Sequence, residues 1–234
     1  MDKNSNLDLI KETEHFIISY TKMDKPCIDK VLKRLEDNYI SITRKFKEQL
    51  ENKQNIEIYY KNEELHNALK LSNAPNWIRG GVRENIIVIT SPLNPPPGSN
   101  FDNVLNTAIH EFIHIIINKI NKFTPRWLNE GIASYEGKDN NEIWIKETVK
   151  NGLINGKVPT FEDLDTGNDF EKFFAFNGYQ YSYTIVEYII EEFGYNKLHD
   201  LIKFPKKYID IFGINEKELQ NNWLKYINNN YLTV

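Results

Sequence analysis

The chain has a single cysteine, Cys27, among its 234 residues, so no disulfide can close within it. Cys27 has no histidine beside it in sequence and reads as a packing residue rather than a nucleophile. Long hydrophobic runs are also missing. The best of them, 112–117, is interrupted by His114 and falls far short of the roughly twenty residues that cross a bilayer. Residues 1–14 are polar and lack the apolar centre of an export signal. As written, the protein is expected in the cytoplasm; if an export signal has been removed and Met1 is an expression start, it is secreted. Nor is there an excess of one charge. Twenty-nine Lys and Arg face 33 Asp and Glu, for a net charge of −4, and no basic patch stands out along the sequence, so no nucleic-acid partner is expected. No internal repeat is present. What is abundant is core material: 13 Tyr, 13 Phe and 4 Trp, enough for one large catalytic domain made of two lobes.

The most specific pattern is His110-Glu111-Phe112-Ile113-His114, inside a long apolar stretch with helical spacing. Residues four apart lie on one helix face, so both imidazoles can reach one metal ion. Glu111 flanks that face, where it can take a proton from a water that the metal activates. The plain alternative is a pair of histidines satisfied within a core helix. A zinc site also needs a third protein ligand and an open position. Glu130 is the candidate, in the segment Arg126-Trp127-Leu128-Asn129-Glu130-Gly131-Ile132-Ala133-Ser134-Tyr135. It sits at apolar helical spacing, where a carboxylate needs a partner. A turn over 121–125, with Thr124 as N-cap and Pro125 at the first helical position, would let this second helix fold back on the first.

These two segments together resemble the gluzincin metallopeptidases. Trp127-Leu128-Asn129-Glu130-Gly131-x-Ala133-Ser134-Tyr135 is similar to the corresponding segment of M1-type aminopeptidases and to the compact, thermolysin-like peptidase MA domains. The likeness covers about residues 80–195. It implies one Zn²⁺ held by His110, His114 and Glu130, Glu111 as general base, and a peptide or protein substrate. It also implies an α+β, thermolysin-like zincin fold. The interval from His114 to Glu130 is shorter than in thermolysin or the M1 enzymes, which favours the compact group.

Periodicity supplies the elements. The sequence predicts strands at 15–21, 55–60, 78–82 and 85–90, the last two forming a hairpin about Arg83-Glu84. Helices are expected at 26–50, 63–71 and 101–121, with the proline-rich stretch 92–98 as a rigid loop. Beyond Glu130 the pattern is helical at 142–151, 179–193 (ended by Gly194), 197–203 and 215–229, with 158–165 as a loop. The expected order is an N-terminal mixed sheet-and-helix lobe over about 1–121, with the metal helix at its edge, and a C-terminal helical lobe over about 122–234.

Three further signals bear on mechanism. Tyr179, Tyr181 and Tyr183 precede or open a helix, and the resemblance points to Tyr179 as the donor that stabilises an oxyanion. Tyr181 and Tyr183 stay open as alternatives, or as packing residues. The segment Gly80-Gly81-Val82-Arg83-Glu84-Asn85 lies where M1 enzymes carry a strand whose glutamate grips the substrate amine. Here Arg83 is an extra residue, which turns side chains to the other face of a strand. Gly80 and Gly81 could still pair with an extended peptide, with Glu84 near its amine. Partners for the histidine N–H groups are available in Glu136, Asp139, Asn106 or Ser134, and none is assigned. His15, His66 and His199 read as surface or strand-end histidines. The reading favours an endopeptidase; the alternatives are an aminopeptidase using Glu84 and an inactive peptide-binding domain of the same fold.

Overall fold

The computed structural model describes residues 7–71, 74–167 and 169–232. The chain divides into two compact units, Met1–Ile116 and Ile117–Val234. The N-terminal unit carries β1 (Leu9–Glu12), β2 (Phe16–Tyr20), α1 (Ile28–Phe46), β3 (Gln54–Tyr59), α2 (Asn62–Ala68), β4 (Gly80–Arg83) and β5 (Ile86–Thr90). Helix α3 (Phe101–Ile120) begins in this unit and runs past its boundary. The sheet order is β1-β2-β3-β5-β4. The two outer pairings, β1 with β2 and β4 with β5, are antiparallel, and β2-β3 and β3-β5 are parallel.

Strand β2 alternates as a half-buried strand should: Phe16, Ile18 and Tyr20 point inward. Phe16 meets the Phe112 ring of α3 edge-on at 5.3 Å, and Tyr39 of α1 stacks on Phe112 at 5.6 Å. These aromatic contacts fix the rotation of α3 and therefore the direction of its neighbours His110, Glu111 and His114. His15 stacks on Tyr39 at 3.6 Å and bonds Glu36 through Nδ1 at 2.6 Å, a strand-end position as expected.

The C-terminal unit holds α4 (Arg126–Gly137), α5 (Glu142–Ile154), α6 (Phe161–Leu164), α7 (Phe170–Ala175), α8 (Gly178–Lys203), α9 (Tyr208–Phe212) and α10 (Glu216–Tyr231). Its core is an aromatic stack. Trp127 lies over Phe161 at 5.3 Å, Phe161 against Trp223 at 5.7 Å, and the Trp223 indole N–H donates to Thr184 Oγ1 at 3.1 Å. The buried indole donor is thereby satisfied.

Several boundaries differ from those the sequence predicts. Strand β1 was not expected, because Leu-Ile-Lys-Glu is mostly exposed and shows no alternation. Helix α1 stops at Phe46, where Lys47 turns left-handed (φ 53°) and closes the last turn. The hairpin turn is one residue later than Arg83-Glu84. Glu84 and Asn85 both have positive φ (49° and 65°), the pattern of a two-residue type I′ turn. Thr124 is not the N-cap of α4. Pro125 holds that place, and the Thr124 hydroxyl instead donates to the Asn121 carbonyl at 2.7 Å. Within the expected loop 158–165, Thr160 and Asp163 form a reciprocal capping box that starts α6. The two helices expected either side of Gly194 are both present; α8 is continuous in name only, since Gly194 at φ 76° and ψ 171° is non-helical and separates them as the sequence predicts. One of the predicted surface histidines is not on the surface: His199 is buried in α8, while His66 is half-buried on α2, contacting Asn62.

Candidate metal centre

Helix α3 carries His110 and His114 one turn apart on one face, with Glu111 flanking that face. The His110 and His114 rings lie edge to face with centroids 4.7 Å apart. Both imidazoles are therefore turned toward a common point, as their four-residue spacing requires. His110 and Glu111 are each 6% exposed, a degree of burial that polar side chains tolerate only with partners. Glu130 lies on α4, and one ligand atom from each of His110, His114 and Glu130 falls within 4.8 Å of the other two.

That donor set fits a divalent ion. Two neutral imidazoles and one carboxylate match the borderline softness of Zn²⁺ and leave room for further ligands. The set also suits other first-row divalent metals.

Strand β4 approaches Glu111 directly. A Cβ added at Gly80 would lie 2.8 Å from Thr107 Cγ2 and 3.1 Å from Glu111 Oε1. Only a residue without a side chain lets the backbone of β4, the last strand of the sheet, lie this close to the carboxylate. Gly81 faces Leu69 instead. Glu84 is exposed at the tip of the hairpin, four residues and so about 13 Å of strand from Gly80. Arg83, the inserted residue, turns away to Glu57 (2.9 Å) and the Ala68 carbonyl (2.9 Å).

The three tyrosines separate by environment. Tyr181 is 1% exposed; its ring packs edge-on against Trp223, and its hydroxyl occupies the space a side chain at Gly152 would need. Tyr181 is therefore packing. Tyr183 is half-buried against the Tyr135 ring at 5.3 Å, and burial together with nearby Glu187 raises its phenol pKa. Tyr179, in the first turn of α8, is half-buried with its ring edge-on to Phe173 at 5.2 Å. Of the residues weighed as partners for the histidines, Asn106 accepts from Arg34 Nη1 at 2.7 Å, and Glu136 accepts from the Tyr195 hydroxyl. Ser134 Oγ is buried and makes no hydrogen bond. Cys27 is fully buried, and burial pushes its thiol up to about 11, so it is held neutral and unreactive as the sequence implies. Gly80's closeness to Glu111 is a contact that no sequence pattern signals. The Gly-Gly pair marks an edge or a bend, not what lies against it.

No helix among the described residues is long and apolar enough to cross a membrane. No curated protein and no solved structure matches the chain. The family model of the peptidase MA superfamily matches residues 36–229, a span that takes in α3, α4 and α8. The α+β architecture is that of a zincin. The chain belongs to the peptidase MA superfamily, whose chemistry is hydrolysis of peptide or protein substrates of the metallopeptidase type.

Proposed function

We propose that this protein is a zinc-dependent endopeptidase of the gluzincin type, with His110, His114 and Glu130 as ligands. The observation that carries the reading is the convergence of those three side chains, two of them on the helix that also presents Glu111. Zn²⁺ bound there supplies a Lewis acid that polarises the scissile carbonyl and brings the pKa of a water to about 7. With the metal held there, Glu111 would serve as general base, taking a proton from the water whose oxygen adds to the carbonyl carbon. The same carboxyl then delivers the proton to the amide nitrogen as the C–N bond breaks. Tyr179 donates to the oxyanion, from the first turn of α8. The backbone of β4 at Gly80 and Gly81 pairs with an extended substrate, which brings its scissile bond beside Glu111.

The aminopeptidase alternative needs a carboxylate near the substrate's free amine. Glu84, at the exposed hairpin tip and about 13 Å of strand away from Gly80, is poorly placed for that. That supports the endopeptidase reading over the aminopeptidase one. A retained Glu111 beside intact ligand residues likewise speaks for catalysis over an inactive binding domain.

The test combines metal content with turnover. The purified protein should hold about one Zn²⁺ per chain and lose it in the His114→Ala variant. Glu111→Gln should keep the metal and the fold but lose peptide hydrolysis by about 10²–10⁴-fold. Normal turnover by Glu111→Gln on the same peptide would remove that residue from the mechanism. Cleavage of an N-acetylated peptide as fast as its free counterpart would identify endopeptidase action; loss of cleavage on acetylation would sink it.

A further inference from the structure

Two stretches that are far apart in sequence meet at one surface of the C-terminal unit. The Asn121 side chain donates to the Ile202 carbonyl at 2.9 Å and joins the turn after α3 to the end of α8. Two residues beyond this tie on each strand of chain stands an exposed phenylalanine: Phe123, 77% exposed, and Phe204, 52% exposed. With about 3.5 Å per residue, the Cα atoms of both lie within roughly 7 Å of the tied residues. Ile209, 66% exposed, follows at the start of α9.

Lysines surround these rings. Lys122 Nζ sits 5.0 Å from the Phe123 ring centroid and Lys207 Nζ 5.6 Å from that of Phe204, with exposed Lys203 alongside. Lys206 turns aside to Asp165 at 3.1 Å, and Lys207 has only a long contact, 4.0 Å, to Asp210. Residues 117–129 and 201–209 carry six Lys and Arg and no Asp or Glu; with Glu130, Asp200 and Asp210 at their ends and Asp165 beside Lys206, cations still outnumber acids here, although the whole chain has a net charge of −4. The local balance is thus opposite to that of the molecule. It is invisible along the sequence because the two stretches are some eighty residues apart; the Asn121–Ile202 tie unites them.

The turn is held rigidly in its exposing shape. Phe123 N–H donates to Asn121 Oδ1 (3.0 Å), and Thr124 bonds the Asn121 carbonyl through both its N–H (3.2 Å) and its hydroxyl (2.7 Å). Ordering a largely exposed phenylalanine gains nothing in water, and apolar surface of this kind framed by charge marks an interaction site. A ring that exposed has little protein wall around it to shape a groove for a folded partner. A fluid interface demands no shape complementarity: rings enter the headgroup region while the lysine ammonium groups stay with the phosphates.

We propose that this face, formed by Phe123, Phe204 and Ile209 with Lys122, Lys203 and Lys207, docks the protein on an anionic lipid surface. The charge is complementary to phospholipid headgroups, and each lysine near such a surface strengthens binding by about fivefold. This reading stands apart from the peptidase chemistry.

The test is flotation of the whole protein with vesicles of phosphatidylcholine alone or mixed with phosphatidylglycerol. The parent should float with the anionic vesicles, remain behind with phosphatidylcholine alone, and be released as salt shrinks the Debye length from about 8 Å to about 3 Å. Lys122→Glu with Lys203→Glu, and separately Phe123→Ser with Phe204→Ser, should each lower the bound fraction constant at least tenfold, while hydrolysis of a soluble peptide stays unchanged. All four side chains are exposed, so either pair carries the test if the other folds poorly. Glu111→Gln should float like the parent, which separates this result from any failure of the peptidase reading. Parent protein that does not float, floats equally on neutral vesicles, or is unaffected by both pairs overturns the proposal. So does binding to homopolymeric RNA or to an acidic peptide without binding to anionic vesicles.

Discussion

The glycines nearest the candidate ligands and base are used differently in the two units. In the N-terminal unit, side chains added at Gly80 and Gly81 would meet only the ends of other side chains: Thr107 and Glu111 in one case, Leu69 in the other. In the C-terminal unit, a Cβ at Gly131 would lie 2.5 Å from the Ser182 carbonyl oxygen and 2.8 Å from its carbon. There α4 and α8 cross backbone against backbone, one residue from Glu130. Side-chain ends can rotate away from an intruder and a helix backbone cannot. The side of the centre that carries Glu111 is therefore adjustable, and the segment that carries Glu130 is held on a rigid crossing.

The largest effect that would sharpen this contrast is expected from Gly131→Ala. Overpacking costs about 1–3 kcal/mol, here at the upper end because backbone must move, and better helix propensity returns up to about 1 kcal/mol. The net, about 2 kcal/mol, should lower the melting temperature by about 4–8 °C. An unchanged melting temperature would show that α4 and α8 can part freely. Gly80→Ala should do the reverse. Its stability should change little, while turnover falls about tenfold because Glu111 must shift by a few tenths of an ångström, and misplacement by 1 Å can cost about 10²-fold. Equal losses of stability in both variants would erase the distinction.

A smaller effect separates the units by pH. In the N-terminal unit, burial pushes Glu36 up, but Thr13 and then the hydrogen bonds from His15 outweigh it and hold its pKa below the ordinary value. A depressed carboxylate adds stability above its unfolded pKa and loses it as pH falls through the folded value. In the C-terminal unit, carboxylates are paired with phenols instead: Tyr231 donates to Glu187 at 2.6 Å and Tyr226 to Glu191 at 2.8 Å. Burial, then the nearby Glu187 charge, raises the pKa of both tyrosines. Their contribution is complete below an unfolded pKa of about 10 and is lost as pH rises beyond it. Burial also raises Glu187, which favours this unit on the acid side. Melting temperatures followed from about pH 4 to about pH 11 should show an acid limb flattened by Glu36→Gln and an alkaline limb flattened by Tyr231→Phe. Variants that flatten the opposite limbs would reverse the assignment. The smallest effect belongs to Glu84→Ala: less than about a twofold change in cleavage of an internal peptide bond, read from initial rates. A tenfold loss would bring the hairpin tip into the site.

Helix α3 was legible because its apolar period and its His-Glu-x-x-His spacing state one orientation together. The edge position of β4 was legible too, from paired glycines ahead of an alternating strand. Strand β1 was not, since pairing with β2 rather than burial of its own side chains creates it. Helix α6 had a readable start in Thr160-Phe-Glu-Asp163, but a four-residue helix offers no period to confirm it. The aromatic turns α7 and α9 are set by tertiary packing, as Phe173 and Tyr208 are buried and most neighbours are not. Burial of His199 has the same origin: nothing local distinguishes a helix's inner histidine from an outer one.

Strand β4 ends the sheet with one row of its backbone groups unpaired by any described strand. Such a row invites a second copy of the chain as readily as a peptide. The strand is four residues long, about 13 Å, and β-propensity is poor at its two glycines. Arg83, anchored to Glu57, puts a cation at one end. A template this short and this weak can hold a transient guest, yet offers too little for chains to stack into fibrils. Lengthening it with branched residues would be expected to trade turnover for aggregation.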